Sequence, residues 1–187
     1  MKVLEKFNFK TLYAVYPMSA VVATAYDGEN KAVMSLVWHT PLSFDPPLYG
    51  ISVSPKRFSH DVILRARAFA VHYFHYEHSD FVEKVGSTSG RFIDKYKEFN
   101  IDFSLSPLRN PIIKGAFLAL DCYYTEHFTL GDHTLIVGEI QRVYYDENLV
   151  EVKGDYILLK DKRTVFYAGM GEYITSDPKT LIKLRKV

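Results

Sequence analysis

A stretch rich in hydrogen-bond donors, residues 38–48 (WHTPLSFDPPL), lies between two apolar segments of the chain. Pro46 and Pro47 have no N–H group to give to a sheet, so we expect a stiff loop through which no ladder of backbone hydrogen bonds runs. The side chains that could bond to a ligand are an indole, an imidazole and two hydroxyl groups, from Trp38, His39, Thr40 and Ser43. With the backbone N–H groups of residues 42–45, these donors predict a site for a planar, hydrogen-bonding ligand.

A second polar cluster follows one predicted strand later, where the chain leaves that strand and enters a predicted helix. It contains two cations, two hydroxyl groups and an imidazole, from Ser54, Lys56, Arg57, Ser59 and His60. An arginine can hold two phosphate oxygens at once, a lysine adds a point charge, and the N–H groups at a helix start attract an anion. A solvated corner is the commoner explanation of such a cluster by itself, but its closeness to the donor-rich stretch favours a phosphate site.

The third candidate is the tight turn Gly131-Asp132-His133, which opens the second of two long predicted strands. An imidazole at this position would sit at the rim of a barrel, where it could bind the edge of a substrate. Alternatively, Asp132 and His133 form a local turn pair, and the sequence leaves both explanations open.

Other residues offer weaker chemistry. His72, His75 and His78 resemble a metal-ligand series, but the first two fall on one predicted strand with opposite facing, so we expect no metal site. Cys122 alternates with apolar residues and is predicted to be a buried structural thiol. The segment 86–90 (GSTSG) lacks a P-loop arrangement and is predicted to be a turn first and a phosphate contact second. No serine has the G-x-S-x-G pattern of a nucleophile elbow. A solvated face is expected near the end, from Lys183, Arg185 and Lys186.

The composition excludes several classes of function. A formal net charge of +1 gives no overall field that would attract nucleic acid or an anionic membrane. The single cysteine excludes an intrachain disulfide framework, and the first residues, MKVLEKFNFK, have no apolar segment typical of a secretory signal. No apolar run approaches the roughly 20 residues of a membrane helix. We therefore expect a cytoplasmic protein, and its 187 residues fit one domain.

The periodicity of apolar residues predicts a mainly β protein. Asp27-Gly28 supplies the turn of a first hairpin, and three strands precede the first helix. The predicted strands cover residues 19–26, 31–38, 47–54, 68–75, 116–128, 134–145 and 165–168. The predicted helices cover 58–67, 77–85 and 92–99, and a basic turn or helix starts at Pro178. Turn-sized gaps between strands, with few helices long enough for parallel crossovers, favour an antiparallel β-barrel with helical insertions.

These residues together resemble the flavin reductase-like, FMN-binding split-barrel family over roughly residues 18–145. The most specific matching pieces are S-F-D-P-P-L within residues 43–48 and G-D-H at 131–133 followed by V-G-E at 137–139. Further matching pieces are Val33-Met34-Ser35, the corner from Ser54 to His60, Ser89-Gly90-Arg91 and Asp94-Lys95. The chain departs from the family at His72, where relatives often carry Asn, and residues 146–187 follow no pattern that we can place.

The resemblance implies a split-barrel homodimer that holds FMN, or sometimes FAD, near the subunit interface, with NAD(P)H as the electron source. It implies flavin-ring contacts from Trp38, His39, Thr40 and Ser43. It implies phosphate contacts from Ser54, Lys56, Arg57, Ser59, His60 and Lys95. His133 would lie on the nicotinamide side of the site.

Three functions follow as hypotheses. The first is a flavin reductase that transfers a hydride from NAD(P)H to flavin N5 and passes electrons to free flavin, a monooxygenase or a ferric complex. Because the cofactor carries the difficult step, no catalytic triad is needed. The second is a non-enzymatic flavoredoxin-like protein that carries electrons between protein partners. The third, less favoured, is an enzyme similar to pyridoxamine-phosphate oxidase.

Overall fold

The computed structural model describes residue 3, residues 12–182 and residue 184, and it is built mainly from antiparallel strands. The strands are β1 (Met18–Ser19), β2 (Val21–Tyr26), β3 (Lys31–Leu36), β4 (His39–Phe44), β5 (Pro47–Val53), β6 (Ala68–Tyr73), β7 (Phe103–Leu105), β8 (Pro111–Ile113), β9 (Leu118–Leu130), β10 (His133–Tyr145), β11 (Val150–Lys153), β12 (Tyr156–Leu159), β13 (Phe166–Gly169) and β14 (Glu172–Ile174). The helices are α1 (Phe58–Ala66), α2 (Ser79–Ser87) and α3 (Lys95–Glu98), and 3-10 turns lie at Tyr13–Val15, Tyr76–His78 and Pro178–Thr180.

Seven strands form one sheet in the order β3-β2-β6-β9-β10-β5-β4. Only Val37 and Trp38 separate the two edge strands along the chain, so the ends of β3 and β4 can lie at most ~11 Å apart. A flat sheet would hold its first and seventh strands ~29 Å apart. The sheet must therefore curl on itself, and within the described residues no ladder closes the seam between β3 and β4. This open, curled antiparallel sheet confirms the predicted fold class.

Two turns explain the longest hairpins. The carboxylate of Asp27 accepts the N–H groups of Glu29 and Asn30, and Gly28 takes a φ of 100°, which reverses the chain between β2 and β3. Gly131, with a φ of 61°, lies in the two-residue turn between β9 and β10. Both turns lie where the sequence places them.

The structure corrects the prediction for residues 38–48. Residues 39–44 form β4, which pairs with β5, so the stretch is not an unpaired loop. Pro41 lies within the strand, and the register shifts between Pro41 and Ser43. The ladder survives because Pro46 lies in the turn, Pro47 is the first residue of β5, and β4 is the sheet edge, where Pro41 is tolerated. Five strands, rather than three, therefore precede α1.

Other element predictions are partly confirmed. The strand and helix between residues 47 and 67 lie as predicted, as β5 and α1. The predicted helix over 92–99 shortens to α3, whose start is fixed by Asp94, because its carboxylate accepts the N–H groups of Tyr96 and Lys97. The predicted turn at 86–90 begins later than expected, since α2 continues through Ser87.

The core forms on both faces of β2, because successive side chains of a strand point to opposite sides. Val21, Ala23 and Ala25 pack into the curled sheet, together with Val62 and Ile63 of α1. On the other face, Val22 packs against α2 and α3 in a second cluster. α1 and α2 are thus held rigidly on either side of the β2–β3 hairpin.

The C-terminal residues pack onto this core. β13 pairs with β1, which joins the predicted strand at 165–168 to the start of the described chain, and β11 and β12 form a hairpin that the sequence pattern did not predict. The basic turn from Pro178 is confirmed. Lys183, Arg185 and Lys186 lie outside the described residues. No helix in the described part of the chain is long and apolar enough to span a bilayer.

Candidate functional site

A cavity of about 350 Å³, called here the main cavity, lies where β3 and β5 end and α1 begins. Its far wall is formed by the end of α2 and the segment up to Gly90. It brings together seven residues that the sequence singled out: Trp38, Ser54, Lys56, Arg57, Ser59, Lys95 and His133. Four predicted site residues do not line it: His39, Thr40, Ser43 and His60.

Arg57 stands at the cation-rich end of the main cavity. It is the N-cap of α1, with extended backbone, and its N–H donates to the carbonyl of Ser54 at 2.9 Å, which closes the strand-to-helix corner. Arg91 Nη2 braces the same corner from outside by donating to the carbonyl of Lys56 at 3.3 Å. Among the described residues, no carboxylate lies within ion-pair distance of Arg57 or Lys56. The corner therefore offers positive charge to the cavity.

Lys95 is the second cation of the cavity, and it is buried. Its Nζ donates to the carbonyls of Val85 at 2.7 Å and Val33 at 3.0 Å, which ties α3 to the end of α2 and to β3. Burial and the like charge of Arg57 lower the pKa of this amine from 10.5 to about 8. Two cations that repel each other across one cavity are stabilised by an anion placed between them.

The segment 86–90 contributes more to the cavity than its sequence indicated. Gly86 and Gly90 are places where the wall admits no side chain. A Cβ on Gly86 would collide with the hydroxyl oxygen of Ser35, and one on Gly90 would lie 2.8 Å from the Phe58 ring. Tyr16, Ser35 and Ser52 also line the cavity. The paired glycines flanking three hydroxyl residues were the available signal for this wall, whereas nothing local marked Tyr16.

Trp38 and His133 form an aromatic part of the main cavity's lining. Their ring centroids lie 4.8 Å apart with planes tilted by 50°. His133 Nδ1 is 2.8 Å from Oδ1 of Asp132. A carboxylate can only accept, so Nδ1 carries the proton and Nε2 is left as the second bonding atom of the ring. Both explanations of this turn therefore hold: Asp132 and His133 are a local pair, and the imidazole lines the cavity.

His39, next to Trp38, faces the interior of the curled sheet instead. Its Nδ1 is 2.5 Å from the hydroxyl of Tyr49, which bonds in turn to the hydroxyl of Tyr73. Its Nε2 is 3.0 Å from the carbonyl of Ser19, so the ring's bonding capacity is filled by the protein. Burial lowers the pKa of His39 and raises those of both tyrosines.

The other three predicted site residues, Thr40, Ser43 and His60, lie outside the main cavity because of their positions on β4 and α1. Thr40 is exposed on β4, where its hydroxyl donates to the carbonyl of Pro41, and Ser43 lies beside Leu48 on the same edge hairpin. His60 is buried on α1, with its ring nitrogens 2.9 Å from Asp61 and 3.0 Å from the hydroxyl of Thr134. It thereby ties α1 to the residue after His133.

The other histidines and the cysteine do not gather into a site. His72 Nδ1 donates to the carbonyl of Val22, and its Nε2 accepts the N–H of Ile113. Because the ring is buried, its pKa is lowered to about 4 and the imidazole is neutral. His75 bonds to Asp161 at 2.7 Å. Cys122 is buried, as predicted. Within the described residues, no group of three or more His, Cys, Asp or Glu is arranged to hold a metal ion.

The sequence matches the model of the flavin reductase like domain over residues 13–167. This range covers most of the chain and includes every residue of the main cavity. The chain belongs to the flavin reductase-like family.

Three individual proteins that are similar to this chain differ in what their names say they do. An FMN-binding protein from Thermus thermophilus, with bound 1-cyclohex-2-enone, is 33% identical and superposes with a TM-score of 0.88, covering 98% of this chain and 99% of its own. The NADH-dependent FMN reductase SmoA of Agrobacterium fabrum is 26% identical over 72% of this chain and 74% of its own length. A flavoredoxin from Methanosarcina acetivorans, 22% identical with a TM-score of 0.81 and covering 97% of each chain, shares the fold.

Proposed function

We propose that this protein is an FMN-binding NAD(P)H:flavin oxidoreductase and that the main cavity holds the flavin. The observation that carries the proposal is the chemistry of the cavity lining: Arg57 and Lys95 supply positive charge, and the neighbouring rings of Trp38 and His133 supply an aromatic surface. A flavin mononucleotide has the matching parts, an anionic phosphate and a flat ring. The family and the FMN-binding relative support this assignment.

The cation-rich end fits a phosphate. Lys56, Arg57 and Ser59 belong to one corner, where the first N–H groups of α1 have no partner within the helix. The glycines at 86 and 90 allow their segment to pack closely against Ser35 and Phe58, which also line the cavity. We assign to Arg57 the charge-assisted hydrogen bonds and to Lys95 the second charge. A bound dianion would offset the repulsion between these two cations.

The aromatic part of the main cavity fits the flavin ring, which must be held flat with one face accessible. Trp38 offers an aromatic surface, and the main chain around it is fixed because the carbonyl of Trp38 accepts the N–H of Ser52 at 2.8 Å. When bound, FMN would supply the redox chemistry by accepting a hydride from NAD(P)H and passing the electrons on to free flavin, a monooxygenase or a ferric complex. The residues of this chain bind, orient and shield the reactants.

We assign to His133 the positioning of the nicotinamide. Asp132 holds its Nδ1 proton, which fixes the tautomer and leaves Nε2 as an acceptor. His133→Ala is expected to raise the KM for NAD(P)H while leaving the affinity for FMN unchanged. A loss of flavin affinity in this variant would instead assign His133 to the flavin.

We also propose that the protein is a homodimer. The strands β4 and β9 carry exposed apolar side chains, from Leu42, Phe44, Phe128 and Leu130. Phe44, at the tip of the β4–β5 hairpin, is 99% exposed, which is unusual for a large aromatic side chain unless a partner covers it. Sedimentation at micromolar concentration is expected to give twice the chain mass, and Phe44→Glu is expected to shift it toward the monomer. A monomeric wild type would contradict the proposal.

The test of the redox function is an absorption spectrum of the protein with FMN, recorded without oxygen before and after NADH or NADPH. We expect a yellow complex that bleaches with one or both nucleotides. If both fail to bleach it while a reduced protein donor succeeds, the protein is an electron-transfer flavoprotein like the flavoredoxins, and the reductase proposal is wrong.

A further inference from the structure

A second cavity of about 330 Å³, called here the side cavity, borders the main cavity. Both cavities are lined by Ser35, Leu36, Val37, Arg57, Gly86 and Ser87. Arg57 is therefore within reach of a ligand in either cavity. Glu83, Tyr167 and Tyr173 also line the side cavity, and none of them belongs to a predicted site motif.

The walls of the side cavity suit an aromatic base. Tyr167 and Tyr173 lie on paired strands β13 and β14 with ring centroids 5.3 Å apart, and Tyr16 of the main cavity packs edge-on against Tyr167 at 5.7 Å. The aromatic surface is thus continuous from one cavity into the other. Ala20 and Val82 add apolar side chains to the lining. Stacking on such a surface is a common way to bind a nucleotide base.

Glu83 is the acidic residue of the side cavity. Its Oε2 accepts the hydroxyl of Tyr173 at 2.6 Å, which fixes the carboxylate and leaves Oε1 to accept from a ligand. Within the described residues, Glu83 forms no ion pair with Arg57, so neither charge is neutralised by the other. A fixed carboxylate beside a base-binding surface is the arrangement that accepts the ribose 2′-hydroxyl of a dinucleotide and repels a 2′-phosphate.

We propose that the side cavity binds the adenosine half of a dinucleotide, with the base on Tyr167 and Tyr173, the 5′-phosphates toward Arg57 and the ribose 2′-hydroxyl on Glu83. This inference rests on the proposed function, since it takes the main cavity as the flavin site. Two ligands carry this chemistry, NADH and FAD. In both cases Glu83 discriminates against a 2′-phosphate, so NADPH is the disfavoured nicotinamide nucleotide.

The test compares the binding of ADP and of adenosine 2′,5′-bisphosphate by isothermal titration, with and without saturating FMN. We expect the wild type to bind ADP about tenfold more tightly, because the 2′-phosphate meets the Glu83 carboxylate. In Glu83→Gln, which keeps the size and the acceptor for Tyr173, the preference is expected to fall to about twofold or less. Asp80→Asn removes the same charge from the exposed part of α2 and is expected to keep the full preference.

The two sources of adenosine are separated by the FMN condition. A preference for ADP that persists with FMN bound identifies NADH as the ligand, and one that FMN abolishes by competition identifies FAD. Equal affinity for the two probes in the wild type under both conditions, or an unchanged preference in Glu83→Gln, overturns the proposal. Protein that binds FMN but shows no ADP preference overturns this inference alone, whereas protein that does not bind FMN overturns the proposed function.

Discussion

The main cavity and the buried core of the protein both contain polar, titratable side chains, but they use them differently. In the interior, the rings of His39 and His72 have both nitrogens bonded to protein groups. In the cavity, Arg57 has no carboxylate partner among the described residues, and Lys95 has only two carbonyls and a repelling cation. Polar groups satisfied by the protein maintain the fold, whereas groups with spare bonding capacity or unbalanced charge are available to a ligand.

Trp38 and His39 make the comparison within one dipeptide. They are neighbours in the donor-rich stretch, yet the indole lines the main cavity and the imidazole bonds to Tyr49 inside the sheet. The alternation of side chains along extended backbone separates them. Substitutions in the two regions should consequently affect different quantities: the free energy of unfolding for the interior and ligand affinity for the cavity.

The largest effect is expected from His72→Leu. It leaves the buried N–H of Ile113 without its imidazole partner and removes the side-chain bond to the carbonyl of Val22, and we expect the free energy of unfolding to fall by about 3 kcal/mol. Because the folded-state pKa of His72 is about 4, below the ordinary 6.5, the unfolded chain binds the extra proton between these values. The wild type should therefore lose stability as pH falls from 6.5 toward 4, and the variant should lack that contribution.

Urea unfolding at several pH values measures both effects of His72→Leu. The matched control is His78→Leu, at an exposed histidine, which is expected to change stability by less than about 0.5 kcal/mol. A His72→Leu protein as stable as the wild type would show that the interior hydrogen bonds do not maintain the fold.

Arg57→Ala should produce the next largest effect, and in ligand affinity. Loss of charge-assisted hydrogen bonds to the phosphate is expected to weaken FMN binding by about 1.5–3 kcal/mol. The stability of the flavin-free protein should hardly change, because no described carboxylate depends on Arg57. Fluorescence quenching of FMN measures the affinity, and Lys84→Ala, at an exposed cation of α2 that lines neither cavity, serves as the control. Unchanged affinity in Arg57→Ala would remove this residue from the site.

The charge on Lys95 should make FMN affinity depend on pH. Since its pKa in the ligand-free protein is about 8, a bound phosphate would raise that pKa and draw a proton onto the amine. FMN affinity is therefore expected to fall as pH rises above 8, by at most about tenfold per pH unit. Lys95→Gln, which can still donate to a carbonyl, should bind more weakly and lose this slope. The same pH dependence in both proteins would assign the proton to another group.

The smallest effect is expected at the glycine wall. In Gly86→Ala the new methyl group collides with the Ser35 hydroxyl, and the displacement should weaken FMN binding by about 1 kcal/mol. Removing that hydroxyl in Ser35→Ala/Gly86→Ala should restore most of the affinity. If the double variant binds no better than Gly86→Ala, the collision is not the cause.

Local chemistry made much of the fold predictable. The Asp27-Gly28 and Gly131 turns, with alternating strands on either side, determine the long hairpins, and the corner at Arg57 marks the start of α1. Pro46 and Pro47 misled because they occupy only the turn and the first residue of β5, while Pro41 is tolerated because β4 is at the sheet edge. Edge position is set by distant pairing, which no local pattern contains.

The candidate site was predictable where one segment carries the chemistry and less so where distant segments meet. The cation corner from Ser54 to His60 is one local segment, and all of its predicted site residues except His60 line the main cavity. The convergence of α2, Lys95 and His133 on that corner depends on the β-sheet order. The side cavity was not predictable, because Glu83 and Tyr173 lie 90 residues apart and meet only when β14 packs beside α2.

The central claim is that the cations of the main cavity recognise the phosphate of a flavin, and a comparison of FMN with riboflavin tests it most directly. Riboflavin has the same ring and lacks the phosphate. We expect the wild type to bind FMN at least about tenfold more tightly than riboflavin, and Arg57→Ala to lose most of that difference. Equal affinity of the wild type for the two flavins, or no binding of either, would contradict the account.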